Sequence, residues 1–314
     1  MKIVFFVNDA FDIQPSQTTY LFIKETLVQK NEVWISSVPR TTNEYVIQSH
    51  KASIKNSNDF FITPETIPLD LMKHIDIIWI RTNPNRDLEN FHSHLQLLDL
   101  LEKISNNGKI VINKPQGLKK FIDKSYLLEL PECTIPKTRL AKNHKEFLAQ
   151  LKQFSGKVVC KPLAGTRGQG VVCFDTSNPP SHIEFPLLIQ EFIHTETHGD
   201  QRIYLLNGKP FESEGKVLII HRRPPHGDFR SNLHLGGSPE KTILNKSQLE
   251  TINHIEDILS ENGIFQAGID MMENKIIEIN VFAPGGVFPA NCLYGQNFEI
   301  KLFNLTLQTL HKTK

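Results

Sequence analysis

Short apolar runs separated by helix-periodic segments dominate the first third of the chain. Residues 2–7, Lys2-Ile3-Val4-Phe5-Phe6-Val7, are nearly continuous in apolar character, which predicts a strand covered on both faces. Ser16 to Gln29 predicts a helix with Ser16 or Thr18 as its cap. Val33 to Val38 predicts a second strand, and the polar, weakly patterned stretch from Arg40 to Pro68 reads as a long excursion. Asp76 to Ile80 is a further buried strand ending at Arg81. Leu88 to Ser105 has helical periodicity with Gly108 as its stop, and Ile110 to Asn113 is the next strand. Strands alternating with helices predict an open α/β layer over about the first 115 residues.

The rhythm then changes. Lys114-Pro115-Gln116-Gly117 reads as a linker, followed by a helix near Leu118–Leu130. Strands are expected at Lys157–Lys161, Gly170–Phe174 and Leu187–Gln190. Asp200–Leu206 and Lys209–Ile220 are joined by Asn207-Gly208, a strong hairpin signal. A helix over Ser247–Asn262 precedes two strands, Gly268–Met272 and Ile277–Val281, with Glu273-Asn274-Lys275 turning between them. The expected division is 1–117, 118–195 and 196–314, with no internal repeat.

Composition narrows the function classes. The chain has 314 residues, 39% of them apolar, and a formal charge of +1. That balance gives no basic excess for nucleic acid and no acidic excess for disorder. No apolar run reaches the roughly 20 residues of a membrane span. The apolar N-terminus is followed by Asn8-Asp9 without a small-residue cleavage site, so it reads as a strand and not as a signal peptide. The four cysteines show no CxxC spacing, which fits a reducing cytoplasm.

The candidate chemistry lies in the second half. Glu278 and Asn280 are two apart and share one face of a strand, with Asp270 on the strand before. Three hard oxygen ligands on a rigid hairpin suit Mg²⁺, with Mn²⁺ as the alternative ion. Lys161 ends an apolar strand, and Gly165-Thr166-Arg167-Gly168-Gln169-Gly170 follows before another strand resumes. Such a loop lets backbone amides approach phosphates, and the lysine adds a point charge. Because it joins two strands, it is neither a P-loop nor a Rossmann turn. Gln190-Glu191-Phe192-Ile193 ends a strand and offers backbone groups to an adenine edge. Arg202, Arg222 and Arg230 suit phosphate or carboxylate, with Asn232 close behind. The 13 histidines form no HExxH pair, and no GxSxG elbow is present, so neither a zinc protease nor a serine nucleophile is indicated.

Taken together, these residues resemble the ATP-grasp superfamily, and within it the bacterial glutathione synthetases. Ile112-Asn113-Lys114-Pro115-Gln116-Gly117-Leu118 is similar to the family's "NKP(Q/R)xL" motif, with Lys124 at the first nucleotide lysine and Lys161 at the second. Gly199-Asp200-Gln201-Arg202 is similar to its "GDxRxxxxxG" hairpin, and Gly227 through Gly237 to its "GDxRxNxxxGG" signature. The resemblance implies an ATP-grasp fold, an α+β ATP-binding half preceded by an open α/β N-terminal domain. It implies a carboxylate–amine ligase that uses ATP and proceeds through an acylphosphate, acting on amino acids or small peptides. Asp270, Glu278 and Asn280 would hold the metal. Lys124, Lys161, the loop 165–170, the segment 190–193 and Asp200 would hold ATP. Arg230, Arg222 and Asn232 would serve the transferring group. Arg202 either orients Asp200 or contacts a substrate carboxylate.

The chain departs from the family at Phe282-Ala283-Pro284-Gly285-Gly286, where a Thr-Ser-Pro type turn is usual, and at Arg81-Thr82-Asn83-Pro84-Asn85, which partly echoes Arg-Lys-Asp-Pro-Pro. Arg81, Gly285 and Gly286 therefore mark the expected substrate side, and the substrate pair is open: γ-glutamylcysteine with glycine, or another amino-acid or peptide pair. A non-catalytic nucleotide-binding regulator would require loss of the metal triad or the lysines, and both are intact. Related synthetases are often homo-oligomers. On this reading Asp270→Asn abolishes Mg²⁺-dependent turnover and leaves the fold intact.

Overall fold

The structure, a computed structural model, describes residues 1–38, 45–56, 59–194 and 199–312. Its first layer is a seven-stranded sheet. Four strands are parallel: β1 (Lys2–Val7) lies between β2 (Glu32–Ser37) and β6 (Ile77–Ile80), and β7 (Ile110–Ile112) follows β6. Period-two alternation sends Val4, Phe6, Ile78 and Ile80 to one face and Ile3, Phe5 and Trp79 to the other. The first face is covered by α3 (Phe91–Asn106) through Leu97, Leu98, Leu101 and Ile104. The second is covered by α1 (Thr18–Val28) and by α8 (Phe298–Lys312), whose Phe303 ring stacks on Trp79 at 6.1 Å. The chain's last helix thus packs on its first sheet.

Several elements differ from expectation. Gln17 stands at the α1 cap without a side-chain bond, and Thr18 opens the helix, its hydroxyl accepting from the Val287 amide. The segment read as an excursion holds three strands, β3 (Val46–Asn56), β4 (Asp59–Ile62) and β5 (Ile67–Asp70), and residues 40–44 lie outside the described ones. These strands extend the sheet antiparallel with one solvated face, so their buried apolar positions, Ile47, Ala52, Phe60 and Leu69, are diluted by Lys51 and Ser53. A four-residue turn of helix, α2 (Leu71–His74), is capped by Asp70.

Lys114–Gly117 is no free linker. It opens α4 (Pro115–Lys120), and Gly117 lies so close to another backbone that a Cβ there would sit 1.9 Å from the Asn262 carbonyl. A turn of 3₁₀ helix, Lys124–Glu129, replaces the rest of the expected helix.

A second sheet of four antiparallel strands contains β8 (Thr138–Ala141), β9 (Lys157–Pro162), β10 (Val172–Asp175) and β11 (Leu187–Glu191), with α5 (His144–Leu151) on it. β8 and α5 were not expected. The third sheet is built on β12 (Asp200–Leu206). The expected long strand after Asn207-Gly208 is broken into β13 (Lys209–Pro210), β14 (Glu212–Ser213), β15 (Lys216–Val217) and β16 (Ile219–Arg223), because Glu214-Gly215 makes a second tight turn with both residues at positive φ. β17 (Ser238–Glu240) closes one edge, and α6 (Lys246–Glu261) leads to β18 (Gln266–Met272) and β19 (Lys275–Asn280). α7 (Val287–Tyr294) precedes α8. The boundary expected at 195/196 falls outside the described residues.

Candidate active site

Strand register assembles the site. β12 runs between β16 and β18, placing Arg222 opposite Asp200, Asp270 opposite Arg202 and Glu278 opposite Asp270. Residues two apart share a face, so Asp200, Arg202, Arg222, Asp270 and Glu278 gather on one side of the sheet. A register shift between Asp270 and Met271 marks a bulge there, a device that re-aims side chains.

Asp270 is buried, and both its oxygens are engaged. Arg202 grips it bidentately through Nε and through Nη2 at 2.8 Å, and Arg222 donates from Nη2 at 2.9 Å. The Asn280 amide stands 3.5 Å away. Burial alone would raise this carboxyl, but the two guanidinium groups outweigh it and hold it down at about 2. Arg222 also makes two 2.6 Å bonds to Asp200. Asp200 and Arg222 are thus held by each other in this structure. Arg202 pairs with Asp270 and not with Asp200 in this structure.

The two expected nucleotide lysines converge on this platform. Lys124 Nζ lies 3.9 Å from Glu278 Oε1 and donates to the Gly165 carbonyl at 2.6 Å. Lys161 donates to Gln190 Oε1 at 2.6 Å and to the Ile277 carbonyl at 3.3 Å. Burial pulls the Lys161 ammonium down to about 8, against the attraction of Glu278. Thr138, on an unexpected strand, completes the chain by accepting from Gln190 Nε2 at 3.0 Å.

The loop 165–170 folds over these groups. Gly165, Gly168, Gly170 and Arg167 all have positive φ. Arg230 donates to the Gly168 carbonyl at 3.1 Å and pairs with Asp228 at 2.8 Å, so here it grips the loop. Gly170 is a turn residue pressed on Pro162 and lines no cavity around the site.

Two adjoining cavities result. One, between the second and third sheets, is lined by Lys161, Gln190–Ile193, Arg230, Asp270 and Gly165–Gln169. The other lies toward the first sheet and is lined by Arg86, Arg202, Asn280, Gly285 and Gly286. Lys124, Arg222, Asn232 and Glu278 face both. In the first, the amides of Glu191 and Phe192 are already given to the Lys137 and Lys157 carbonyls, so neither is free for an adenine. Arg81 is buried. It donates to Thr19 Oγ1 at 3.1 Å and to the Pro284 carbonyl at 3.0 Å, and so anchors the divergent 282–286 loop.

Two residues the sequence reading did not single out hold the site together. Asn113 donates to the Gln266 and Val281 carbonyls at 2.8 and 2.7 Å and accepts from the Gln266 amide at 2.7 Å, tying the first sheet to β18. The Tyr126 hydroxyl donates to the Ile279 carbonyl at 3.0 Å, beside Glu278 and Asn280. Asn113 lay in a quoted motif, but nothing in its spacing announced a buried amide.

Comparison with known proteins places this arrangement. Residues 123–294 match the prokaryotic glutathione synthetase ATP-grasp domain, and residues 1–119 match the N-terminal domain of the same family. A glutathione synthetase of Prochlorococcus marinus subsp. pastoris is 29% identical, covering 99% of this chain and 100% of that one. Another, from Prochlorococcus marinus strain MIT 9313, is 32% identical over 74% of this chain and 73% of its own length. Among solved structures, the D-cycloserine synthetase DcsG superposes with a TM-score of 0.62 at 13% identity, over 98% of this chain and 99% of that one. The ATP-grasp ligase PsnB, complexed with a precursor variant, Mg and ADP, gives 0.62 at 12%, over 97% of each chain. The fold, the two adjoining cavities and these matches agree: the chain belongs to the prokaryotic glutathione synthetase family and is an ATP-dependent carbon–nitrogen ligase of ATP-grasp fold.

Proposed function

We propose that the protein joins γ-glutamylcysteine to glycine, forming glutathione with release of ADP and phosphate. The observation that carries this reading is the shared wall of the two cavities. Lys124, Arg222, Asn232 and Glu278 line both cavities, one of which is assigned here to the nucleotide and the other to the carboxylic acid. The substrate carboxylate takes the γ-phosphoryl group and ADP leaves. The glycine amine then attacks the acyl carbon, phosphate departs, and the amine loses its proton.

Phosphoryl transfer needs positioning and charge neutralisation more than covalent help. Lys161 and Lys124 bring positive charge to the phosphates. The closed glycine loop excludes water that would hydrolyse the acylphosphate. Ile193 carries the first amide past β11 that is not donated to the Lys137 or Lys157 carbonyls, and it is assigned to the adenine edge.

The donor set fits Mg²⁺: two carboxylates in facing register and an amide, all hard oxygen donors. Asp270, Glu278 and Asn280 would hold the ion, with Asp270 also paired to Arg202 and Arg222. When bound, the ion supplies charge neutralisation at the phosphates.

A second reading, another amino-acid or small-peptide pair, is favoured by the 282–286 loop, which borders the acid-side cavity and departs from the family pattern. Omitting each component in turn separates the two. Glutathione synthesis predicts ADP release only with Mg²⁺-ATP, γ-glutamylcysteine and glycine together. Basal release unaffected by that pair would reject this substrate assignment and direct the search to other acids and amines.

A further inference from the structure

The acid-side cavity and the larger space that continues it toward α1 and α7 share a cationic wall whose charges lack partners. Arg86 ends the 3₁₀ turn Pro84–Arg86, beside the first sheet, and lines both spaces. Arg167 lines the same two from the glycine loop, and also the nucleotide cavity. Its φ is +60°, a region a non-glycine residue seldom occupies, so the loop's backbone is specifically shaped at this residue.

Among the described residues, neither arginine has a carboxylate within ion-pairing distance, whereas Arg202, Arg222, Arg223 and Arg230 each hold one. The outer space is also lined by Asp9, Asp12, Asp87 and Glu89, of which Asp87 accepts from His94 and Asn90, and Asp9 from the Phe11 amide. Burial, then the charges of Arg167, Arg202 and Arg81, pull the Arg86 guanidinium down to about 10, with Glu278 as an opposing attraction. His234, on the same wall, is lowered by burial and then by Arg167 and Arg86. These charges repel across a concave space, and an anion placed between them converts repulsion into two charge-assisted bonds. Beside them, Asn85 gives its amide to the Ile122 carbonyl at 2.7 Å, but its buried Oδ1 has no hydrogen-bond partner among the described residues. That acceptor calls for an N–H donor. A free α-amino-acid group supplies both a carboxylate and an ammonium.

We propose that Arg86 and Arg167 clamp a carboxylate of the acyl substrate other than the one that is activated, with Asn85 receiving that substrate's amine, and that the clamp fixes the glycine loop over the nucleotide. Arg86 and Arg167 are then positioning residues, and the loop closes fully only when the acid is present. This rests on the ligase reading and adds a coupling between the two cavities.

The Arg167–Gly168 bond is itself a trypsin site, so cleavage there, followed by mass spectrometry, reports the loop directly. Because cleavage tracks the open population, the wild-type protein with Mg²⁺-ADP should be cut at least about fivefold more slowly once γ-glutamylcysteine is added. Arg86→Glu supplies an internal carboxylate to Arg167 and should slow cleavage with Mg²⁺-ADP alone. Arg86→Met should lose the acid-dependent protection and raise KM for the acid on the order of tenfold, the worth of one charge-assisted contact, with kcat changed less. Protection of Arg86→Glu without protection of the wild type by γ-glutamylcysteine would support the clamp and reject that acid as the substrate. Cleavage of Arg86→Glu at the wild-type rate in Mg²⁺-ADP, or full acid-dependent protection in Arg86→Met, would overturn the clamp.

Discussion

Asp270 is the counter-ion of two arginines and is also the proposed metal ligand, so it has two roles in one buried carboxylate. Asp270→Asn is therefore expected to do more than remove a ligand. Turnover should fall about a hundredfold or more, as for loss of a group acting on developing charge. Arg202 also loses its carboxylate partner and the buried Arg222 keeps only Asp200, and denaturant unfolding should show a loss of about 3–5 kcal/mol. The sequence alone suggested an intact fold for this variant, because it could not show that the candidate ligand was also the hub of a buried ion cluster. The pH sign follows: a carboxyl lowered from 3.8 to about 2 contributes stability above its ordinary pKa and loses it as pH falls through about 2. Asp270→Asn should thus flatten the acid limb of the stability curve. Lys161, lowered to about 8, binds phosphate best when charged. The KM for ATP should rise as pH climbs through that value, and Lys161→Arg should flatten the rise, since arginine stays charged. A rise of equal steepness in Lys161→Arg would remove Lys161 as its source.

At the scale of elements, legibility followed the burial pattern. β1, β6 and α3 were readable because their apolar spacing reports the core directly. β3 to β5 were not, because Ser49 of β3 is a buried polar residue, as is Ser36 of the neighbouring β2, and the outer face is charged. Ser36 satisfies itself with the Gln48 carbonyl at 2.9 Å, a contact no periodicity announces. The hairpin bearing Asp270, Glu278 and Asn280 was legible because a two-residue period and a short turn fix which side chains share a face. The pairing of Arg222 with Asp200 was not, since it depends on register between strands distant in sequence. α4 makes a sharp prediction. Gly117→Ala drives a Cβ into the Asn262 carbonyl, and should lower the melting temperature measurably, although alanine is the better helix former. An unchanged or raised melting temperature would show that α4 and the end of α6 can separate without cost.

For the whole molecule, the active site depends on chain ends that lie far from it in sequence. Phe303 of α8 stacks on Trp79, and the loop 282–286 that leads into α7 is held by Arg81 at the end of β6. Phe303→Ala should cost about 3–5 kcal/mol by opening a cavity against the first sheet, with denaturant midpoints as the measure. Because α7 and α8 continue from the 282–286 loop, the same variant should weaken acid binding before it weakens ATP binding. The family motifs in the sequence led to the cavity proposed for the nucleotide, where glycines, lysines and carboxylates suit phosphate. They did not specify the acid side, where Arg86, Asn85 and the 282–286 loop meet only through the folded chain.

The most direct test of the account is isotopic. γ-Glutamylcysteine labelled with ¹⁸O in its cysteinyl carboxylate is turned over with Mg²⁺-ATP and glycine, and the released phosphate is analysed by mass spectrometry. The acylphosphate route predicts one labelled oxygen in each phosphate formed, in step with glutathione. Glutathione with unlabelled phosphate would contradict the mechanism, and phosphate released without glutathione would contradict the substrate pair.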